Sequence, residues 1–398
     1  MNRGLRVGRV FGINIHIDAS WILIFLLVTW SLAMGLLPSW HPAWSSWLNW
    51  AVALAGSLLF FLSILLHELS HSLVARARGL PARRITLFLF GGVSNIEREP
   101  PTPKTEFLMA VVGPLTSIVL GAGMIAMSTL SLRRTEAVLS DPQAAMAGLG
   151  PVSTLLLWLG PVNIFLGLFN LLPGFPLDGG RILRAILWNA TNDLQKATRW
   201  AAGAGRVTGW LFILAGIAMT FGVSVPIFGS GLAGGLWLVF IGWFLSDAAV
   251  KSYQQTIITD LLENVPVSRL MRSDVPVVPP TLPVGSLVYD WIMGSDEQAF
   301  PVMEGDELVG LVSLEDVRKV PREAWDQTTV GEIMTRAGQL DVVAAREDAS
   351  GALEKLTRRD AGQIPVVENG HLVGLLRRSD IIKWLQLQSG FAIPGPSH

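Results

Sequence analysis

Six long apolar runs occupy most of the first 250 residues of the chain. Each is close to the roughly 20 residues that a helix needs to cross a bilayer core, and more polar stretches separate them. The pattern predicts a polytopic α-helical membrane protein with about six transmembrane helices, at residues 21–37, 47–74, 107–130, 153–172, 207–225 and 232–248. Gly113 and Pro114 interrupt the third run, where the proline lacks an N–H and should kink or break the helix.

Two shorter segments alternate between apolar and polar residues, as β-strands do. Residues 10–18 form the first segment and lead directly into the first apolar run. Residues 85–96 form the second, in which two strand-like runs flank Gly91 and Gly92 and predict a hairpin around a Gly-Gly turn. This hairpin follows the second apolar run, so we expect it at the membrane surface or dipping into it.

The chain changes character at about residue 256, where it becomes charged and typical of a soluble domain. Residues 300–317 recur in similar form as 364–381, and each copy predicts a strand, a turn, a second strand and a helix. Two copies can bury each other's apolar faces, which predicts one compact α/β domain. The predicted divisions are a membrane domain (1–250), a linker (251–264), a first repeat (265–325), a second repeat (326–390) and a flexible tail (391–398).

Composition agrees with this division and narrows the candidate functions. Hydrophobic residues make up 51% of the chain and charged residues only 15%, against about 25% charged residues in an average soluble protein. The formal net charge is -1 and no basic domain stands out, so nucleic acid is not an expected partner. Because the chain has no cysteine, any metal site must use His, Asp or Glu side chains.

The second apolar run contains the motif His67-Glu68-x-x-His71 near its end. On a helix, positions four apart share one face, so the two imidazoles can point to one metal ion with Glu68 beside them. Two histidines provide two of the three protein ligands that a catalytic zinc usually has. Ionisable residues inside an apolar helix are costly, which favours a functional zinc site over structural core histidines.

A third zinc ligand has to come from another segment, and Asp178 is the best candidate. It follows the fourth apolar run, after Pro173 and Pro176, which disfavour a regular helix just before it. Alternatively, Asp178 precedes two glycines and an apolar run and could simply cap a helix. The two interpretations are compatible, because a carboxylate has two oxygens.

Lysine and arginine in the short connections predict the orientation. With six spans, the N-terminal arginines, the segments 76–104 and 181–206, and Lys251 all fall on one side, and only Arg133 and Arg134 fall on the other. We therefore expect a multi-pass protein of the cell membrane with both termini and the soluble domain in the cytoplasm. The histidine motif then lies toward the cytoplasmic end of its helix.

The motifs together resemble a known family. His-Glu-x-x-His in the second span, with Asn-x-x-Pro-x-x-Pro-x-Asp-Gly after the fourth, is similar to the site-2 protease family of intramembrane zinc metalloproteases, and the soluble repeat resembles a pair of CBS domains. The resemblance implies one zinc ion per chain and a small membrane-associated β-sheet. It also implies hydrolysis of peptide bonds within or near transmembrane segments of a membrane-protein substrate, such as a membrane-anchored regulator, in regulated intramembrane proteolysis.

The resemblance also implies roles for individual residues. His67, His71 and Asp178 would be the zinc ligands, Glu68 the general base, and Asn170 a residue near the substrate. Asn170 could donate to the developing oxyanion, or it could equally be a polar contact between packed spans. The hairpin at 85–96 could hold an unwound substrate segment as an added strand, or it could merely plug the cavity.

The soluble repeat resembles modules that bind adenine nucleotides in the cleft between their repeats, and this resemblance implies ATP, ADP or AMP as a candidate regulatory ligand. The first repeat keeps the usual Gly-x-x-[Ser/Thr]-x-x-Asp pattern with Ser313 and Asp316, whereas the second keeps Asp380 but has Arg377 in place of the small hydroxyl residue. Arg377 could pair with phosphate or could block the site. A purely structural pair that forms a homodimer is the alternative for this domain, and a nucleotide-regulated metal-binding transporter or channel is the alternative for the whole chain.

Overall fold

The structure is a computed structural model that describes residues 4–89, 91–96, 99–132, 146–295, 297–358 and 361–389. The chain forms two compact units that divide between Gln254 and Gln255. Arg133 and Arg134, two of the basic residues used to predict the membrane orientation, lie outside the described residues, as does the predicted tail at 391–398.

Apolar helices dominate the first unit. Six described segments are long and apolar enough to cross a membrane, which confirms the predicted membrane architecture: Ala19–Trp40, Ser46–Ala77, Pro103–Thr129, Pro151–Asn170, Leu194–Thr220 and Leu232–Thr259. The helices are α1 (Ala19–Ser31), a π-helical turn (Leu32–Leu36), α2 (Leu37–Trp40), α3 (Ser46–Ala77), α4 (Pro103–Leu132), α5 (Pro151–Asn170), α6 (Asp178–Thr191), α7 (Leu194–Thr220) and α8 (Leu232–Leu262).

Two helices differ from the sequence-based expectation. Helix α4 continues through Pro114, so of the two predicted outcomes there, a kink or a break, the break is wrong. The loss of one N–H donor is tolerated in a long helix that packs along both α3 and α5. Helix α7 begins at Leu194 rather than near residue 207, because the Asp193 side chain caps its polar first turn by accepting from the Lys196 N–H.

A four-stranded sheet lies against α3. Its strands are β1 (Gly4–Val10), β2 (Ile13–Asp18), β3 (Ala82–Phe88) and β4 (Gly91–Ile96). They lie in the order β1-β2-β3-β4, with β2 and β3 parallel and the two outer pairs antiparallel. Ile13, Ile85 and Leu69 of α3 form a buried cluster between the sheet and the helix, which places the sheet beside the histidine motif.

The turns of this sheet differ from those predicted. The N-terminal segment forms a hairpin of its own, because Phe11 and Gly12 both adopt positive φ and reverse the chain. Gly91 and Gly92 do not form the turn of the second hairpin; they begin β4, and Gly92 pairs with Leu87. These two glycines therefore belong to a strand and not to the turn that the sequence predicts.

The second unit contains two similar halves, as the repeat predicted. Its elements are α9 (Val284–Ser286), β5 (Ala299–Glu304), β6 (Glu307–Ser313), α10 (Leu314–Val317), α11 (Val330–Ile333), β7 (Thr335–Arg336), α12 (Ala349–Arg358), β8 (Gln363–Glu368), β9 (His371–Arg377) and α13 (Arg378–Ser389). Each half has its own apolar core, one around Val302 and one around Val366. Leu262, which precedes the first repeat, and Val267, at the start of that repeat, pack into the core of the second.

Candidate metal centre

Helix α3 brings the two histidines of the motif to one point. His67 and His71 are both buried, with 4% and 5% of their surfaces exposed. The Nδ1 atom of His67 lies 2.9 Å from the Ser117 hydroxyl, and Nδ1 of His71 lies 2.6 Å from the carbonyl oxygen of Met109. Both partners are on α4, so this helix fixes the orientation of both rings and leaves both Nε2 atoms facing the same space.

Asp178 reaches the same space from α6. It is the first residue of that helix, Leu177 occupies the N-cap position, and no side chain caps the helix, so the interpretation of Asp178 as a cap is wrong. Gly179 and Gly180 explain how the helix starts so close to the preceding turn. A Cβ on either glycine would overlap backbone atoms of residues 171–175, so only glycine allows this close approach.

Three potential ligand atoms converge there. Asp178 Oδ2 lies 3.1 Å from His67 Nε2 and 3.2 Å from His71 Nε2, and the two Nε2 atoms are 3.2 Å apart. Atoms bound at about 2.0–2.1 Å to a tetrahedral zinc lie roughly 3.4 Å from one another. This set is the one group of three or more metal-ligating residues found among the described residues.

The hydrogen bonds of the histidines show that the site fits a cation. The Met109 carbonyl can only accept, so His71 Nδ1 carries the proton. A neutral His71 then presents a lone pair at Nε2, opposite the carboxylate oxygen of Asp178 and the ring nitrogen of His67. Buried acceptors that face one another are unfavourable unless a cation lies between them. Two imidazoles and one carboxylate are also a donor set that zinc commonly accepts.

Gly113 forms the wall of this site on α4. A Cβ at this position would overlap the imidazole of His71 and would lie 2.8 Å from His67 Nε2. In the sequence, Gly113 stands out only because it precedes Pro114. Its role in the structure is to leave room where the ligand atoms meet.

Replacement Gly113→Ala is expected to weaken zinc binding by about tenfold or more, because overpacking at a tightly packed position typically costs about 1–3 kcal/mol. Gly123 provides a matched control on the same helix, since a Cβ there meets no atom within 4 Å. Zinc affinity measured by chelator competition should be unchanged in Gly123→Ala. Equal affinities in the two variants would contradict this description of the site.

Glu68 lies beside the histidines and directly under β4. A Cβ on Gly92 would overlap the Glu68 side chain, so glycine is required for the strand to cross the carboxylate. The Ser94 hydroxyl of the same strand lies 2.7 Å from the hydroxyl of Ser72 on α3. Strand β4 therefore orients Glu68 and is itself held to α3.

Asn170 is placed at the C-terminal end of α5. Its side-chain amide donates to the carbonyl of Leu166 over 2.9 Å, and Asn163 one heptad earlier makes the same contact with Leu159. Both amides thus bond within their own helix. The role of Asn170 near a substrate stays a prediction.

In the second unit, a cavity of about 440 Å³ lies between the two repeats. Ser313, Asp316 and Arg318 line it from the first repeat and residues 361–365 from the second. Asp316 Oδ2 accepts from the Ser313 hydroxyl over 2.7 Å, and Oδ1 accepts from Lys319 over 2.9 Å. The cavity brings two of the three predicted nucleotide-site residues together.

The third, Asp380, is engaged elsewhere. The guanidinium of Arg377 donates to both carboxylate oxygens of Asp380, over 2.7 and 2.8 Å, and to Glu297 over 3.1 Å. Burial opposes ionisation, but these hydrogen bonds and the charge of Arg377 hold the pKa of Asp380 below its ordinary value. The ion pair is therefore fully formed at neutral pH, and Asp380 is not among the residues that line the cavity.

The comparisons with known proteins agree with the site. The family described as Peptidase family M50 matches residues 55–137 and 123–215, and the CBS domain family matches 267–323 and 330–387. A Synechocystis protein named as a zinc metalloprotease is 35% identical over 97% of this chain and 96% of its own length. A zinc metalloprotease of Methanocaldococcus jannaschii is 27% identical over 97% of each chain.

The chain therefore belongs to Peptidase family M50, the site-2 proteases, and carries two CBS domains. It is a multi-pass membrane zinc metalloendopeptidase, which favours the protease over the alternative of a transporter or channel. Among solved structures, a site-2 protease from Methanocaldococcus jannaschii covers 63% of this chain and 95% of its own at 29% identity, with a TM-score of 0.41.

Proposed function

We propose that this protein cleaves membrane-protein substrates within or near their transmembrane segments, in regulated intramembrane proteolysis. His67, His71 and Asp178 would hold the zinc ion, and Glu68 would act as general base. The convergence of three ligand atoms within 3.2 Å, buried between apolar helices beside a glutamate, carries the proposal. Chelator-sensitive cleavage of a single-span substrate by the purified protein in a bilayer is the experiment that tests it.

The residues of the site have separate tasks in this mechanism. When bound, zinc supplies Lewis-acid polarisation of the scissile carbonyl. Glu68 takes the proton of the attacking water and then delivers it to the leaving amine. Gly92 packs against the Glu68 side chain and keeps it in place for both transfers, and the Nδ1 contacts with Met109 and Ser117 keep the imidazoles from rotating.

The substrate segment is proposed to lie along β4. A helical substrate has its amide groups already bonded, so it has to unwind before attack, and an exposed strand edge can bind the unwound backbone. Among the described strands, β4 is at the edge of its sheet and pairs only with β3. Gly92 and Ser94 place this edge next to Glu68, so a peptide added there would pass the general base.

We also propose that both termini face the cytoplasm, on the side toward which the metal centre lies. The basic connections identified in the sequence support this orientation. The substrate would then be cut near the cytoplasmic end of its span, which suits release of a membrane-anchored regulator.

The CBS pair is proposed to bind an adenine nucleotide in the cavity lined by Ser313 and Asp316, and to alter the cleavage rate when it does. Asp316 Oδ1 accepts a hydrogen bond from the exposed Lys319 ammonium, and a ribose hydroxyl could replace this partner. The equivalent carboxylate of the second repeat is held by Arg377, which supports one nucleotide per chain rather than two.

Full-length protein in lipid nanodiscs is expected to bind about one adenine nucleotide per chain by isothermal titration, and its cleavage rate should change on binding. Asp316→Ala should weaken binding by about 10- to 100-fold, since a hydrogen bond to a charged group contributes about 1.5–3 kcal/mol. The same substitution also removes a capping box with Ser313. Glu332→Ala is the matched control, because it disrupts the other capping box of this unit, with Thr329, away from the cavity. The absence of any response to millimolar ATP, ADP or AMP would contradict regulation and leave the pair as a dimerisation or substrate-docking module.

A further inference from the structure

A buried ion pair joins α4 to α6. Glu106, in the first turn of α4, has 1% of its surface exposed, and Arg184 on α6 has 5%. Arg184 Nε donates to Glu106 Oε1 over 2.7 Å, and Nη2 contacts the same oxygen. A buried charge pair is costly to desolvate and is often no more stabilising than an apolar pair of equal size, so its presence at this position calls for a specific explanation.

The two helices that it joins carry complementary parts of the metal centre. Helix α4 provides the Met109 carbonyl and the Ser117 hydroxyl that orient the two histidines. Helix α6 begins with Asp178 and is not among the six spans, so its position depends on its neighbours. The Arg184 guanidinium also lies 5.4 Å from the centre of the Phe175 ring, in the turn that precedes Asp178.

We propose that Glu106 and Arg184 are a positioning pair that sets the place of Asp178 relative to the two histidines and thereby the zinc affinity. Two N–H groups that converge on one carboxylate oxygen fix both the rotation and the height of α6 against α4. An apolar contact has no such directionality and fills space in several ways. This inference rests on the proposed ligand set of His67, His71 and Asp178.

The test compares Glu106→Met, Arg184→Met and the double variant. Zinc affinity is measured by chelator competition and stability by thermal unfolding, both on purified full-length protein. Arg184→Met leaves the buried Glu106 carboxylate without its ion-pair partner, and Glu106→Met leaves Arg184 with the exposed Glu99 carboxylate, 4.0 Å away, so both properties should fall in each variant. The double variant leaves no buried charge unpaired and should regain most of the lost stability, while its zinc affinity stays about 10- to 100-fold below wild type, the usual effect of losing an outer positioning group. Recovery of both properties in the double variant would overturn the proposal, because a merely structural pair moves them together.

Three further variants complete the test. Arg184→Lys keeps the charge but not the two converging N–H groups, so it should fold and bind zinc about tenfold more weakly; wild-type affinity in this variant would also overturn the proposal. Asp247→Asn breaks the exposed pair between Asp247 and Lys251 on α8 and should leave zinc binding unchanged. Asp178→Ala distinguishes failure of the ligand set from failure of the positioning role. Full zinc occupancy in Asp178→Ala would reject the ligand set. Loss of zinc in Asp178→Ala, together with normal zinc affinity in the Arg184 variants, would reject only the positioning role.

Discussion

Replacement Glu68→Gln is expected to abolish detectable proteolysis while the purified protein keeps its zinc. Glutamine has the shape of glutamate, so it should keep the contact with Gly92. It cannot take a proton from water, and general base catalysis typically contributes about 10²- to 10⁴-fold to the rate. The measurement is cleavage of a single-span substrate in nanodiscs, with zinc content determined on the same sample.

Two outcomes would count against the role of Glu68. Undiminished cleavage by the variant would reject Glu68 as the base. Loss of zinc together with activity would indicate that Glu68 contributes to metal binding instead. Glu323→Gln, at an exposed position of the second unit outside the cavity, is the control for a general effect of glutamate substitution and should cleave at the wild-type rate.

Replacement Asp178→Ala should remove most of the zinc from the purified protein and all measurable activity with it. Two histidines alone leave a catalytic zinc one protein ligand short, and Asp178 is the one carboxylate in the group of three described residues whose ligand atoms converge. Zinc per chain, measured by atomic absorption on folded protein, is the readout.

Asp193→Ala is a suitable control for Asp178→Ala. Asp193 also stands at the start of a helix, where its side chain caps α7, so its loss should cost about 1 kcal/mol of stability without changing the zinc content. Full metal occupancy in Asp178→Ala would return Asp178 to a structural role and would reject the proposed ligand set.

The features that could be predicted from the sequence are those determined by residues that are close together in the chain. The spacing of His67 and His71 places both rings on one helical face whatever the rest of the fold does. The six spans follow from apolar runs that depend only on local composition. The repeat in the second unit could be recognised because both copies bury the same pattern of side chains.

The residues that sequence reasoning missed are those whose role depends on contacts between distant segments. Gly113, Met109 and Ser117 act on the histidines across a helix interface, and only the packing of α3 against α4 reveals this. The glycine pair at 91–92 predicted a turn because glycine is common in turns. The structure requires glycine at position 92 because the Glu68 side chain lies under it, a contact that no local pattern encodes.

Ion pairs between distant segments also could not be predicted from local sequence patterns. Glu106 and Arg184 are separated by 78 residues, and neither belongs to a recognisable motif. In the sequence, Arg377 departs from the CBS pattern and could either pair with phosphate or block the site. The contacts with Asp380 and Glu297 show that its guanidinium is engaged by protein carboxylates, which favours blocking over phosphate binding.

Mass-spectrometric mapping of the cut site is the measurement that tests the central claim most directly. The purified protein in nanodiscs would be given a single-span substrate, with and without a zinc chelator. With the proposed orientation, in which both termini face the cytoplasm, a metal centre buried between apolar helices predicts chelator-sensitive cleavage at a bond within or next to the cytoplasmic end of the substrate's apolar segment. Cleavage only in the soluble part of the substrate, or cleavage that persists after zinc removal, would contradict an intramembrane zinc protease.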